Sequence, residues 1–177
     1  MSKPEESSSA RFERLLSEYG SAIERMAAAY ETEPNERLDL MQEIAFALWR
    51  ALPGFRGDCS EKTFIYRIAQ NRGLTHRWRR RARETRTVDL DDVQDQLADP
   101  ASETEVPAAL SNITREELLT AVHRLPGLQR DVLVLSLEGL THGEIADVLG
   151  INPGNVAVRL TRARAALRGT LTRENKP

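Results

Sequence analysis

The chain has one cysteine, Cys59, among its 177 residues, which excludes an internal disulfide framework. Aromatic residues make up only 5%, few for the β-branched and aromatic positions of a sheet. Leu, Ala, Arg and Glu are plentiful instead, a usage that favours helices. No run of about 18 apolar residues occurs, so membrane insertion is not expected. The opening MSKPEESSSA holds no apolar stretch that would act as a secretory signal, and the expected location is the cytoplasm. His76, His123 and His142 are scattered without metal-ligand spacing, Cys59 has no CxxC partner, and no phosphate-cradling glycine loop is present. Neither a metal, a cofactor nor an enzymatic activity is expected, and Cys59 is given no redox role.

What is present is a strong sorting of charge, hidden by a formal net charge of -2. Residues 62 to 83 carry Lys62, Arg67, Arg72, Arg77, Arg79, Arg80, Arg81 and Arg83 without one acid. From 84 to 112 the sign reverses: Glu84, Asp89, Asp91, Asp92, Asp95, Asp99, Glu103 and Glu105 face Arg86 alone. Residues 153 to 173 are again purely basic. A hydrophobic content of 40% supplies a core for one ordinary domain or two small ones. The acidic stretch holds two prolines and cannot bury enough surface to fold alone, so it reads as a flexible linker. The expected fold is all-α, two small helical domains joined by that linker: a disordered tail over 1–10, a first domain over 11–83, the linker over 84–112 and a second domain over 113–173.

In the first domain, Phe12, Leu15, Leu16, Tyr19, Ile23, Met26, Ala27 and Tyr30 recur at helical steps. After Pro34 a second helix runs from about 36 to 52, with Leu38, Met41, Ala45, Leu48, Trp49 and Leu52 on its expected buried side. A third begins after Ser60, its apolar line being Phe64, Ile68 and Trp78. In the second domain Thr114 and Glu117 have capping-box spacing, as do Thr141 and Glu144, and Asn152-Pro153 reads as an N-cap followed by proline at the first helical position.

Residues 141–160 have the pattern of a helix-turn-helix. Ala146 is small where a second helix crosses, Gly150 suits the positive φ of the turn, and Ile145, Leu149, Ile151, Val156 and Leu160 supply the contacts between the helices. Projecting the last helix places Val156, Leu160, Ala163 and Leu167 on one side and Asn155, Val158, Thr161 and Arg162 roughly opposite. The second set is expected to face a DNA major groove, with Arg159 on one flank and Arg164 and Arg168 on the other, toward phosphates. The alternative is that these arginines form only a solvated face.

Two segments carry a family likeness. DLMQEIAFALWRALPGFRGDCSEKTFIYRIAQNRGLTHRWRRRAR, residues 39 to 83, resembles the promoter-melting region of extracytoplasmic-function sigma factors. LPGLQRDVLVLSLEGLTHGEIADVLGINPGNVAVRLTRARAAL resembles the family's second conserved region. The resemblance implies that the first domain binds core RNA polymerase and recognises the minus-ten promoter element, while the second reads the minus-thirty-five element. It implies polymerase contacts by Asp39, Leu40, Gln42, Glu43 and Ile44, and a loop, Phe55-Arg56-Gly57-Asp58, that holds a base flipped from the opened strand. It places Asn71, Arg77 and Arg80 on promoter DNA, and implies an anti-sigma factor as a further partner. Ala157 and Val158 stand where the family commonly has a basic residue and Ser, so the promoter preference does not carry over, and Gly143 replaces a more usual charged helix former, which should weaken that helix by up to about 1 kcal/mol relative to Ala.

The residues by themselves leave alternatives. Leu40, Ile44 and Ala47, beside Asp39 and Glu43, make the expected outer side of the second helix more apolar than solvent requires, so either a partner or a neighbouring helix of the same domain covers it. Asn71 is in line with Phe64, Ile68 and Trp78 and reads either as a buried amide or as a DNA contact, and Phe55 as a core residue or a stacking one. Other function classes are a self-sufficient helix-turn-helix regulator and an RNA-binding protein using the arginines of 77 to 83.

Overall fold

The computed structural model describes residues 7–84 and 113–174. Except for Glu84, the expected acidic linker lies outside the described residues. Among those described, every regular element is helical, and the chain divides into two compact units between Trp78 and Arg79.

The first unit opens with α1, Ser8–Tyr30, whose N-terminus is capped by the Ser7 hydroxyl accepting from the Ala10 N–H at 3.2 Å. The helix thus starts inside the stretch expected to be a disordered tail, because a serine there satisfies an N–H of the first turn. Its buried side, including Leu15, Ile23, Met26, Ala27 and Tyr30, follows the expected stripe, with Leu16 left 36% exposed. Next come α2, Pro34–Ala51, a 3-10 turn at Leu52–Gly54, and α3, Glu61–Glu84. Pro34 is the first residue of α2 rather than a break before it, since proline lacks only the N–H that a first helical position leaves unused. Ser60 starts α3 by accepting from the Thr63 N–H at 3.0 Å.

The rotation of α2 is about a quarter turn from expectation: Leu48 and Leu52 are buried as expected and Met41 and Ala45 half-buried, but Leu38 and Trp49 are not. Leu40, Ile44 and Leu48 are fully buried, whereas Leu38, Phe46 and Trp49 are 53%, 59% and 53% exposed. Apolar residues surround this helix, so periodicity offers two stripes. α2 packs on α1, whose buried side includes Ala22, Ala27, Ala28 and Ala29. Small residues let two helices approach closely, and branched aliphatics at i, i+4 and i+8 fit that spacing better than Phe46 and Trp49 rings.

α3 also departs from its expected line. Ile65, Tyr66, Ala69, Gln70, Gly73 and His76 are buried, Phe64 and Ile68 are half-buried, and Trp78 is 76% exposed. Hydropathy misses this stripe because half of it is polar or lacks a side chain, each such residue being matched by α1. The Tyr30 hydroxyl donates to Gln70 Oε1, His76 Nε2 lies 3.0 Å from Glu31 Oε2 with both side chains buried, and the Tyr30 ring occupies the space beside Gly73. A Cβ on Gly73 would stand 2.4 Å from Tyr30 Cδ2. At the other end of the seam Arg11 and Arg14 of α1 hold Glu61 at 2.8 and 3.0 Å, so α1 and α3 run in the same direction.

The second unit contains α4, Arg115–His123, α5, Gly127–Leu137, α6, His142–Leu149, and α7, Pro153–Glu174. Both expected capping boxes form: Thr114 and Glu117 exchange bonds at the start of α4, and Thr141 and Glu144 at the start of α6. α7 packs against α4, α5 and α6 over a core including Val132, Leu135, Ile145, Val156 and Leu160. Arg130, buried in α5, donates to the carbonyls of Val122, His123 and Leu125, at 3.1 Å for the first and last. Carbonyls in the last turn of a helix lack full intrahelical pairing, and the guanidinium adds a donor to each of these.

The α1–α3 seam should tolerate no side chain at Gly73. Gly73→Ala drives a methyl into an aromatic ring and should destabilise the first unit by about 1 to 3 kcal/mol, despite alanine's higher helix propensity. Both tryptophans, Trp49 and Trp78, belong to that unit. A lower urea midpoint by tryptophan fluorescence is the expected outcome, and an unchanged or raised midpoint would show that the seam yields.

Candidate nucleic-acid interface

The turn between α6 and α7 has the backbone that Gly150 was expected to give, with φ 66 and ψ 33. Nothing lies within 4 Å of a Cβ there, so the requirement is conformational: a left-handed residue costs roughly 1–2 kcal/mol when it carries a Cβ. Its N–H and that of Ile151 both reach the Ala146 carbonyl. Asn152 Oδ1 then accepts from the Gly154 N–H at 2.8 Å and the Asn152 carbonyl from Asn155 and Val156. Two helices meet across three residues.

Burial on α7 follows the angular projection except at Leu167 and Arg162, which are both half-buried. Val156, Leu160, Ala163 and Leu171 are buried, while Asn155, Val158, Thr161 and Arg164 are exposed, Val158 at 43%. Arg159, Arg162 and Arg168 are half-buried. The Arg162 Nε is buried without a hydrogen-bond partner. The Thr161 hydroxyl donates to the Ala157 carbonyl at 3.1 Å, which leaves its lone pairs facing outward. The first acid of α7 is Glu174. The helix therefore presents donors and cations along about five turns with no internal carboxylate to neutralise them.

In the first unit, the loop after the 3-10 turn carries Arg56, Gly57 and Asp58 in the open, with Gly57 at φ 81. Phe55 is half-buried. Its ring centroid lies 4.6 Å from that of Phe64, and the Arg11 guanidinium sits 4.8 Å over it. Arg11 is in turn held by Glu61. Neither Arg11 nor Glu61 was legible as part of this loop, since they are 50 positions apart in sequence. The hydrogen bond from Arg14 draws the Glu61 carboxyl below the usual glutamate range, and Arg11 adds to this, against the opposing effect of burial.

Asn71 is exposed, and Gln70 is the buried amide of α3. Of the two readings of Asn71, the buried one is thus removed. Arg77 and Arg80 are half-buried, and nine residues of helix turn Arg80 about 180° away from Asn71. The structure does not bring these two to one side. Leu40 and Ile44, expected on an outer surface, belong to the core. Asp39 and Gln42 remain exposed and Glu43 is half-buried. The outer side of α2 that sequence reading missed is Leu38, Phe46 and Trp49, the last two rings stacked with centroids 6.1 Å apart. Among the described residues, no group of three or more His, Cys, Asp or Glu side chains is placed to hold a metal ion, and no helix is long and apolar enough to cross a membrane.

Comparison with known proteins gives two adjacent matches in chain order: Sigma-70 region 2 over residues 15–84 and Sigma-70, region 4 over residues 115–167. The chain is 33% identical to the RNA polymerase sigma-H factor of Pseudomonas aeruginosa, over 88% of this chain and 83% of that protein. It is 29% identical to the ECF RNA polymerase sigma-E factor of Escherichia coli K12, over 88% and 84%. In fold it resembles the sigma factor RpoE solved with the anti-sigma factor NepR from Bartonella quintana. That match has a TM-score of 0.68 and 21% identity, covering 92% of this chain and 97% of the other.

The tie that steadies Phe55 is expected to depend on pH. With its folded pKa depressed below 4.5, Glu61 contributes stability that is present above the ordinary glutamate value and is lost as pH falls through the folded one. Glu61→Gln should therefore lower the urea midpoint at pH 7, and the gap to the unaltered chain should close as the solution is acidified through that window. A gap that stays constant would mean that the carboxylate charge contributes nothing.

Proposed function

This chain belongs to the sigma-70 family as an extracytoplasmic-function RNA polymerase sigma factor, and from that premise we propose how its residues divide the work. As an alternative sigma subunit it directs core RNA polymerase to specific promoters and takes part in recognising and melting them. The observation that carries the reading is the pairing of the two sigma-70 regions in order, one of them holding a helix-turn-helix whose second helix has no acid before Glu174. The helix-turn-helix alone would fit a self-sufficient regulator; region 2 ahead of it does not.

In this proposal the outer side of α2 meets polymerase. Asp39 and Gln42 supply polar contacts, Leu38, Phe46 and Trp49 the apolar area, and Glu43 lies on the rim, while Leu40 and Ile44 support the helix from within. An exposed apolar patch rimmed by polar groups is the usual form of a docking surface. The loop Phe55-Arg56-Gly57-Asp58 receives the flipped base, Phe55 offering a ring already steadied by Arg11. Asn71 contacts the neighbouring melted bases, and Arg77 and Arg80 reach phosphates from another side of α3. On α7, Asn155, Val158, Thr161 and Arg162 read base edges and Arg159, Arg164 and Arg168 meet phosphates. The protein acts by binding rather than catalysis, without cofactor, in the cytoplasm. An anti-sigma factor is the third partner, by analogy with the RpoE–NepR pair.

Two experiments test this division. Asp39→Lys combined with Gln42→Lys should weaken binding to core polymerase about tenfold, some 1.4 kcal/mol, with helical content unchanged; undiminished capture of core enzyme removes the α2 surface from the reading. Arg162→Ala should cost roughly 1 to 3 kcal/mol and relax preference at one base position. Arg168→Ala should instead weaken all sequences alike and lower the salt slope by about one. Holoenzyme binding to a promoter library at two salt concentrations separates the outcomes, and a uniform loss for Arg162→Ala would place base readout elsewhere on α7.

A further inference from the structure

Trp78 is 76% exposed, the most open large apolar side chain among the described residues. The division of work above leaves it without a role. Ile65, Ala69, Gly73 and His76 define the packed side of α3, and at about 100° per residue Trp78 points the opposite way. Asn71 and Arg67 share that direction, each within about 20° of Trp78. No acid occurs from 62 to 83. An indole standing among cations, on the side facing away from the core, suits an occupant that is both polyanionic and flat-faced.

We infer that Trp78 is a second stacking position for the opened promoter strand, beyond the base that Asn71 contacts. The inference rests on the sigma-factor reading and extends it to a residue that neither the family matches nor the relatives assign. Seven residues of helix separate Asn71 from Trp78, a rise of about 10.5 Å. Trp78 therefore meets a base further along the opened strand than the Asn71 contact. An opened strand offers the ring a free base face, whereas in a duplex the same contact would first require unstacking. An acidic peptide would match the positive charge of this stretch but leave the indole's faces unmatched.

The test uses holoenzyme and a promoter mapped from transcript starts after overexpression. DNA carrying a pre-opened, mismatched minus-ten segment is compared with a fully paired fragment of the minus-thirty-five element. Trp78→Ala should bind the pre-opened DNA about tenfold more weakly and the paired fragment equally well. Trp78→Phe should recover most of the loss, and Trp78→Lys, which adds charge but no ring, should not. A 2-aminopurine stepped along the opened strand away from the Asn71-dependent position should lose its stacking quench in Trp78→Ala on one side of that position only. Wild-type binding of pre-opened DNA by Trp78→Ala, rescue by Trp78→Lys, or weaker capture of core polymerase by Trp78→Ala would each overturn the inference while leaving the sigma reading intact. Failure of the unaltered holoenzyme to select any promoter would overturn both. All three substitutions lie in the open, so unchanged circular dichroism is expected.

Discussion

The first unit depends on one contact, the Tyr30 ring seated where a side chain on Gly73 would be. The notch is one residue wide. Shifting α3 by a single position would push Arg72 or Leu74 against the ring, so the contact sets both the axial register of α3 and its rotation. With that rotation set, Gln70 and His76 turn inward to their partners on α1, and Asn71 and Trp78 turn outward. The polar pairs of the seam are secondary to it: buried donors and acceptors contribute modestly when matched and cost heavily when parted, so they enforce a register that the ring and the glycine have chosen. The Arg11, Arg14 and Glu61 cluster fastens the other end and carries the loop of Phe55 with it.

Arginine serves two ends in this chain, and its neighbours decide which. Arg11 and Arg14 meet a carboxylate, and Arg130 meets the carbonyls at the end of α4. Their charge is answered within the fold. Along α7 the chain supplies no carboxylate until Glu174, and a row of cations without interspersed acids forgoes the i,i+4 pairs that a merely solvated helix would gain. A polyanion then finds a surface that need not break ion pairs along its own helix before binding.

How much of this was legible depended on whether a residue's role was local. Capping boxes at Thr114 and Thr141, the left-handed Gly150 and the N-cap at Asn152 were readable because each acts within four residues of itself. The outward set on α7 was readable because that helix has a single apolar side. α2 was misread because apolar residues surround it, and choosing between its two stripes requires knowing that α1 presents alanines. α3 was misread for the opposite reason: its packed side contains Gln70, Gly73 and His76, which look unsuited to a core until Tyr30 and Glu31 are brought beside them. Arg11 over Phe55 could not be found at all from sequence, since its partners are joined only by the parallel course of α1 and α3.

Arg130 bears on how the second unit comes apart. Helices of 9, 11 and 8 residues are too short to persist in water by themselves, and such helices ordinarily fray from their ends. Here the end of α4 is tied by three carbonyls to a buried guanidinium on α5. Unwinding its last turn would part a buried guanidinium from three carbonyls at once, which is more costly than losing a terminal hydrogen bond. The corner between α4 and α5 therefore opens only when the surrounding core opens, and α7 rests on a support that holds as one piece until it gives way all at once.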